Sequence, residues 1–379
     1  MSQVSIISVT KNSDMNDFID LPWKIYEKDD NWVPPLKKAV RRILDREKHP
    51  FWKFSEGILY LARRGSHTVG RIVGIIDHNY NRFHNETSGA WGFFECENDP
   101  EAAHALFSSV EEWVAARGMT FLRGPLNPST NYEVGMLIEG FDLPPTIMMC
   151  YNPPYYPNLV ESYGFTKEKD LLALVLDKES EKAQAGRNLL SRLAKRICEK
   201  GKVVIRNARR ENFESEMALI KELYHAAWAP NWGFVPMTNE ELNEMGQNLV
   251  RFMDPELVFF VYYNDEPVGF CIIIPDINPV LKRLNGKIGV LGLLKIPMYK
   301  KEIVGLRGLL FGFKRSHQKL GLPLVAFDHL NRLRTEKKPH YQYLEFGWNL
   351  EDNHDINQFE MDLGARIWKR YRIYGKKVG

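Results

Sequence analysis

The chain predicts a mixed α/β (α+β) fold built twice in tandem, each copy a largely antiparallel central sheet flanked by helices. Three observations carry that expectation. The 379 residues exceed one ordinary domain and suit two. At 44% hydrophobic and 26% charged residues, each half can bury a core of its own. The order strand, two helices, hairpin, strand, helix, strand, short helix, strand runs through the chain once and then again.

The first pass opens with a strand at residues 4–9 and a helix at 14–27, whose apolar face is Phe18, Ile19, Trp23, Ile25 and Tyr26. Residues 31–35 (NWVPP) break it, and 36–46 form a second, basic helix. Residues 58–64 and 69–77 read as a hairpin around Gly65-Ser66-His67, and 91–97 as a strand. Asp99-Pro100-Glu101 is a helix start, with a capping acid and a proline at the first position, and that helix stops at Gly118. A strand at 120–123 leads into a proline- and aromatic-rich loop region at 124–157. A short helix at 159–163 and a strand at 170–176 close the copy, so the first domain spans 1–177. Residues 178–202 read as a linker helix, with Leu189, Leu190, Leu193 and Ile197 at helical spacing.

The second pass occupies 203–379. A strand at 203–206 precedes helices at 213–228 and 239–252 and a hairpin at 257–263 and 268–274 around Asn264-Asp265-Glu266-Pro267. An insertion at 276–304 separates these from a strand at 306–313, a tight loop at 314–321 and a helix from Leu322. Strand 343–349, helix 356–363 and strand 366–374 finish the chain.

The stretch GLRGLLFGFKRSHQKLGLPLVAFDHL, from Gly305 to Leu330, is the chemical centre of this pattern. A loop that delivers backbone N–H groups at a helix N-terminus suits a phosphate. Here Gln318, Lys319, Leu320, Gly321 and Leu322 form it, with Lys314 and Arg315 alongside. Strand, then Q/R-x-x-G-x-G/A, then helix resembles the acyl-CoA pyrophosphate loop of the GNAT acyltransferase superfamily. Gln318 and Gly321 match, and Pro323 stands where a second small residue is expected. Further on, Asn353 and, eleven residues later, Gly364 resemble the family segment N-x-x-A-x-x-L-Y-x-x-x-G-F. Ile356 and Phe359 take its apolar positions and Ala365 replaces its last phenylalanine. In the first half, YYPNLVESYGF (155–165) gives the matching helix, and RGPLNPSTNYEVGMLIEGF resembles an uncharacterised bacterial group of tandem GNAT proteins.

The resemblance implies two GNAT-like domains and an N-acyltransferase that takes acetyl-CoA or a longer acyl-CoA as donor and a small-molecule or peptide amine as acceptor. It implies that the backbone at Phe311, Gly312 and Phe313 faces the thioester, that Gln318 to Leu322 hold the pyrophosphate, and that Asn353 belongs to the same site. The family's acid, a tyrosine, is Glu360 here; a glutamate donates a proton only if burial raises its pKa by several units. Tyr371, Tyr374 and Tyr343 are the substitutes, and Asp276 and Glu345 the available bases. The first half has Asn98-Asp99-Pro100 where a phosphate would lie, and acids repel one. Its loop, with Asn127, Tyr132, Glu133, Tyr151, Asn152 and Tyr155, is either an acceptor pocket or domain packing. Trp228, Trp232 and Phe234 are either a substrate wall or core.

Other classes are weaker. A net charge of +3 argues against a dedicated nucleic-acid binder, although the basic residues 37–48 keep an aminoacyl-tRNA-dependent transferase in view. A catalytically idle acyl-CoA or partner-binding module is the other alternative. His225, His317 and His329 show no metal spacing, and Cys96, Cys150, Cys198 and Cys271 are spread as free thiols of a cytoplasmic protein would be. No apolar run reaches membrane-spanning length. The nearest, IGVLGLLKIPM (288–298), leaves room for burial, a long acyl chain or a homodimer contact.

Overall fold

The computed structural model describes residues 2–178, 181–250 and 253–379, without the side chains of 182, 183 and 290–293. In chain order the first pass gives β1 (Val4–Ser8), α1 (Asn12–Ile25), α2 (Lys37–Ile43), β2 (Ser55–Arg64), β3 (His67–Asp77), α3 (His78–His84) and β4 (Ser88–Cys96). It continues with α4 (Pro100–Ala115), β5 (Phe121–Gly124), β6 (Leu126–Asn127), β7 (Glu133–Val134), β8 (Met136–Glu139), α5 (Tyr156–Ser162) and β9 (Thr166–Asp177). After α6 (Glu181–Cys198), the second pass gives β10 (Val203–Asn207), α7 (Phe213–Trp228), α8 (Asn239–Leu249), β11 (Val258–Tyr263) and β12 (Glu266–Pro275). Then follow α9 (Asn278–Leu284), α10 (Val290–Tyr299), β13 (Gly305–Phe313), α11 (Leu322–Arg332), β14 (Tyr343–Leu350), α12 (His354–Asp362) and β15 (Arg366–Lys377).

The predicted element order is present in both passes, on a mixed α/β architecture with mostly antiparallel pairing. The differences are local and have local causes. Helix α3, unforeseen, starts because the Asp77 carboxylate accepts from the N–H groups of Asn79 and Tyr80 at 2.9 and 3.0 Å. Helix α2 is shorter than expected, and a 3-10 turn at Pro50–Phe54 follows it. The loop region at 124–157 contains β6, β7 and β8, and α5 begins at Tyr156 because Pro157 fits a first helical turn. The 276–304 insertion is helical, as α9 and α10. The expected end of α8 at residue 252 lies outside the described residues.

The chain divides into two compact units. The first comprises Met1–Leu171, Val280–Ile296 and Lys369–Gly379. Its strands run in the order β1-β2-β3-β4-β5-β15, where β15 pairs antiparallel with β5 through Tyr374 opposite Gly124. Its core packs Trp91, Phe107, Val110, Leu122, Tyr156 and Tyr374 between sheet and α4. The second unit comprises Leu172–Pro279 and Pro297–Trp368, with strand order β9-β14-β13-β12-β11-β10. Its core packs Leu174, Phe259, Ile273, Leu306, Phe327 and Leu344 under α11 and α6. The final strand of the sequence thus ends in the first unit, and the strand that closes the first pass ends in the second.

Candidate functional site

In the second unit two neighbouring parallel strands part company. Strand β13 pairs with β14 only from Gly305 opposite Tyr343 to Gly308 opposite Phe346. Its antiparallel pairing with β12 continues to Phe313. Residues 309–313 therefore line a slot from which the neighbour on one side has withdrawn. At the mouth of the slot the β12–β13 register slips, Ile272 facing Leu310 and Ile273 facing Gly308. Leu309 is the extra residue of a bulge, which the β12–β13 ladder leaves unpaired.

Phe311, Gly312 and Phe313 sit along this slot. The Phe311 ring lies 4.6 Å from that of Phe327 on α11, which lies 5.0 Å from Phe359 on α12 and 5.5 Å from Phe346 on β14. The wall between the two helices is thus aromatic, suited to an apolar chain. Gly312 has no room for a side chain, because a Cβ there would meet the Trp228 ring at 2.5 Å. Trp228, a substrate candidate in the sequence, is the residue that backs the strand, and its ring also meets Phe270 edge-on at 5.5 Å.

Past the strand, the tight loop expected at 314–321 winds as a 3-10 helix over Arg315–Leu320. The winding ends at Gly321, whose φ of +75° reverses the chain into α11 at no steric cost. Gln318 turns back, its Nε2 donating to the Phe313 carbonyl at 3.1 Å. Lys314 is held by Glu222 and Glu266, both at 3.1 Å. Arg315, Lys319 and Leu320 face solvent, and no ion pair is formed by either cation among the described residues. Gly321 lies under α6, where a Cβ would approach Ile197 Cδ1 at 2.8 Å, and Leu322 is fully buried. Asn353 is exposed at the start of α12, three residues past the end of β14, its carbonyl accepting from Asn357 N at 3.1 Å.

Glu360, on the same helix, is 3% exposed. Its Oε2 accepts from Asn349 Nδ2 at 2.7 Å, and no cation pairs with it among the described residues. Burial pushes its pKa up to about 8, against a smaller opposing effect of the Asn349 bond. That burial is what a proton-donating glutamate requires; its partner Asn349, which no motif marks, stands on the parting end of β14 as a lone amide between Trp348 and Leu350. Asp276 accepts from Tyr343 Oη at 3.0 Å and from Asn278 N at 3.2 Å. Burial, and then the Asp276 carboxylate, raise the Tyr343 pKa. Glu345 is fully buried in register with Arg307. Tyr371 and Tyr374 lie in the first unit: Tyr371 faces Leu137 of β8 and packs below Gly135, while Tyr374 donates to Glu161 at 2.9 Å.

The corresponding slot of the first unit is filled by its own chain. Strand β4 also bulges, with Phe93 at φ +50°. The Phe93 N–H donates to Asn127 Oδ1 at 2.6 Å, and Gly92 packs against the Leu126 carbonyl, so β6 lies where a ligand would. The Asp99 carboxylate caps α4 and pairs with Arg64 at 2.7 Å, which occupies that helix N-terminus with an anion already. Tyr151 donates to Asp29 at 2.9 Å, the Tyr132 ring lies 5.8 Å from His49, and Glu133 is exposed on β7 opposite Asn127. Glu95, which no sequence motif marks, is a half-buried carboxylate that accepts from Tyr26 and Tyr156 at 2.9 and 2.7 Å and lies 3.5 Å from Arg71. An acid inside the run WGFFEC was its signal.

Among the described residues no group of three or more His, Cys, Asp or Glu is placed to hold a metal, and no helix is long and apolar enough to cross a membrane. No protein-family model matches the chain. It is 31% identical over 384 residues to "Bacterial ceramide synthase" of Caulobacter vibrioides, covering 100% of this chain and 98% of that one. It is 30% identical over 377 residues to "Protein YghO" of Escherichia coli, covering 97% and 93%. Among solved structures, a tandem GNAT protein from the clavulanic acid biosynthesis pathway superposes with TM-score 0.54 at 12% identity, covering 100% of this chain and 99% of its own. A GCN5-related N-acetyltransferase from Sphaerobacter thermophilus gives 0.52 at 12% identity, covering 100% and 97%.

Proposed function

The chain belongs to the family of the bacterial ceramide synthase and protein YghO, on a tandem GNAT fold, and from that premise we propose that it is an acyl-CoA-dependent N-acyltransferase whose acceptor is a long-chain amino alcohol of the sphingoid type. The observation that carries the reading is Glu360, a buried carboxyl with a pKa of about 8 in the position of the family's acid.

Acyl-CoA, as substrate, would supply the acyl group as a thioester. Gln318 to Leu322 would receive its pyrophosphate, with Arg315 and Lys319 adding positive charge and Asn353 standing at the neighbouring helix start. The aromatic wall of Phe311, Phe327 and Phe359 would exclude water and accept the apolar arm. The unpaired backbone at the β13 bulge, with 310–313 beside it, would meet negative charge developing on the carbonyl oxygen. The amine nitrogen bonds to the carbonyl carbon, the carbon–sulfur bond breaks, and the amine's proton leaves to water. Glu360 returns a proton to the departing sulfur; its pKa lies close to the ~8.5 of a thiol, which suits that transfer. The first unit has its slot closed by β6, which favours the second as holder of the donor site.

The test is turnover by the purified chain of palmitoyl-CoA or acetyl-CoA with sphinganine, followed by thiol release and mass spectrometry of the amide. Amide formation that prefers the long-chain acceptor to short amines supports the proposal. Binding of acyl-CoA without turnover on any amine would leave an acyl-CoA-binding module instead. Arg315→Glu with Lys319→Glu, both exposed, should weaken acyl-CoA binding about tenfold or more without altering the fold.

A further inference from the structure

Helix α10 and the residues around it carry apolar side chains into solvent. Ile288, Leu294 and Met298 are 46%, 74% and 58% exposed, and Leu294 and Met298, four residues apart, share one face of the helix. Lys287, Lys295, Lys300 and Lys301 lie in the same segment, all exposed and none in an ion pair among the described residues. No acidic residue occurs between Lys287 and Lys301. Solvent disfavours such a surface twice, through bare apolar groups and through uncompensated like charge. Both costs vanish at one kind of partner, an anionic lipid bilayer, which takes apolar side chains below its headgroups and lysines at them.

We propose that α10 with its flanking lysines is a membrane-surface anchor that docks the protein on anionic bilayers. It lies on the surface without spanning, since the helix has ten residues. The proposal rests on the functional reading for its purpose, because a long-chain amino alcohol and a long-chain acyl donor both partition into bilayers. The charge pattern selects the occupant: a second copy of this chain would present the same lysines to one another, whereas phosphatidylglycerol complements them.

The experiment is sedimentation of the full chain with vesicles of phosphatidylcholine alone and with 30 mol% phosphatidylglycerol, at about 50 and 300 mM salt. The wild type is expected to bind the anionic vesicles about tenfold better than the neutral ones, with the preference shrinking at high salt. Leu294→Asp with Met298→Asp should abolish binding, and Lys295→Glu with Lys300→Glu and Lys301→Glu should abolish the anionic preference. All five positions are exposed, so the thermal melt should stay that of the wild type. Equal binding to both vesicles, or variants that bind as the wild type does, overturns the proposal. So does a wild-type dimer that the aspartate pair dissolves while vesicles bind nothing, which would give the face to a second copy. Binding is read without turnover: a chain that sediments but acylates nothing overturns the functional reading alone, and one that acylates in detergent but never sediments overturns this one alone.

Discussion

The Asn349 amide donates to Glu360 at 2.7 Å, joining the parting end of β14 to the last turn of α12. The bond lowers the Glu360 pKa, but burial outweighs it, and the carboxyl stays protonated at neutral pH. A neutral carboxyl is a donor; an ionised one is not.

Glu360→Gln should therefore lower kcat by about 10² to 10⁴ with little change in acyl-CoA affinity. The pH profile separates this from a packing defect. Wild-type activity should fall as pH rises through about 8, where Glu360 loses its proton. The rising limb below it belongs to the acceptor amine, which must shed its proton to attack. The glutamine variant should keep the rising limb and lose the falling one. A variant that keeps the alkaline decline would remove Glu360 from the reaction.

The same carboxyl has a consequence for stability, with a definite sign. The folded pKa of about 8 exceeds the 4.5 of an ordinary glutamate. Below pH 4.5 both states are protonated and Glu360 is neutral to stability. Between 4.5 and 8 the unfolded chain ionises while the folded one does not, so stability falls as pH rises, by roughly 4–5 kcal/mol in all. Glu360→Gln has no such slope. Denaturant melts at pH 5 and pH 8 should show the variant gaining on the wild type at the higher pH; parallel behaviour would mean that Glu360 ionises freely.

The turns around the candidate site were legible in residues that punctuate the chain. Gly321 marked the turn before α11, and Asn353 and Gly364 bracketed α12, because turns and caps depend on residue type. The slot itself was not legible. It arises from where the β13–β14 pairing ends at Gly308 and Phe346 and from a slip at Leu309, and strand register depends on the neighbouring strand rather than on the strand's own residues. The burial of Glu360 was equally hidden, since a single acid on a helix reads as solvated until the packing of α12 is known. Nor could one-dimensional order reveal that β15 ends in the first unit, because local pattern is silent on which sheet a terminal strand joins.

Gly312 and Trp228 offer a test of the slot's rear wall. A Cβ at 312 would meet the indole at 2.5 Å and Ala227 Cβ at 3.0 Å, and the strand backbone leaves little freedom to move away. Gly312→Ala should cost about 1–3 kcal/mol and raise the KM for acyl-CoA, as the strand is displaced toward the slot. Trp228→Ala alone leaves a cavity and should also destabilise. The double variant should recover part of the loss, a coupling of about 1 kcal/mol or more in a double-mutant cycle. Additive losses would show that the two do not share the contact.

Glu95 tests the division of labour between the units. In the first unit it accepts two tyrosine hydroxyls, and burial raises its pKa while Arg71 and those hydroxyls act against the rise. Arg71 is buried, donating to the Phe18 carbonyl at 2.6 Å, and burial lowers its pKa. Removing the carboxylate leaves a buried guanidinium facing nothing of opposite sign and the Tyr156 hydroxyl without an acceptor, while Tyr26 keeps the Tyr151 carbonyl at 3.3 Å. Glu95→Ala should thus cost about 3–5 kcal/mol, read from the transition of the first unit in denaturant. Glu95→Gln, whose amide oxygen still accepts both hydroxyls, should cost less. If the second unit alone holds the donor, both variants should bind acyl-CoA with wild-type affinity under conditions where they remain folded. A folded Glu95→Gln chain that has lost acyl-CoA binding would assign part of the donor site to the first unit, and unchanged donor binding with a raised KM for the amine would make Glu95 a positioning residue for the acceptor.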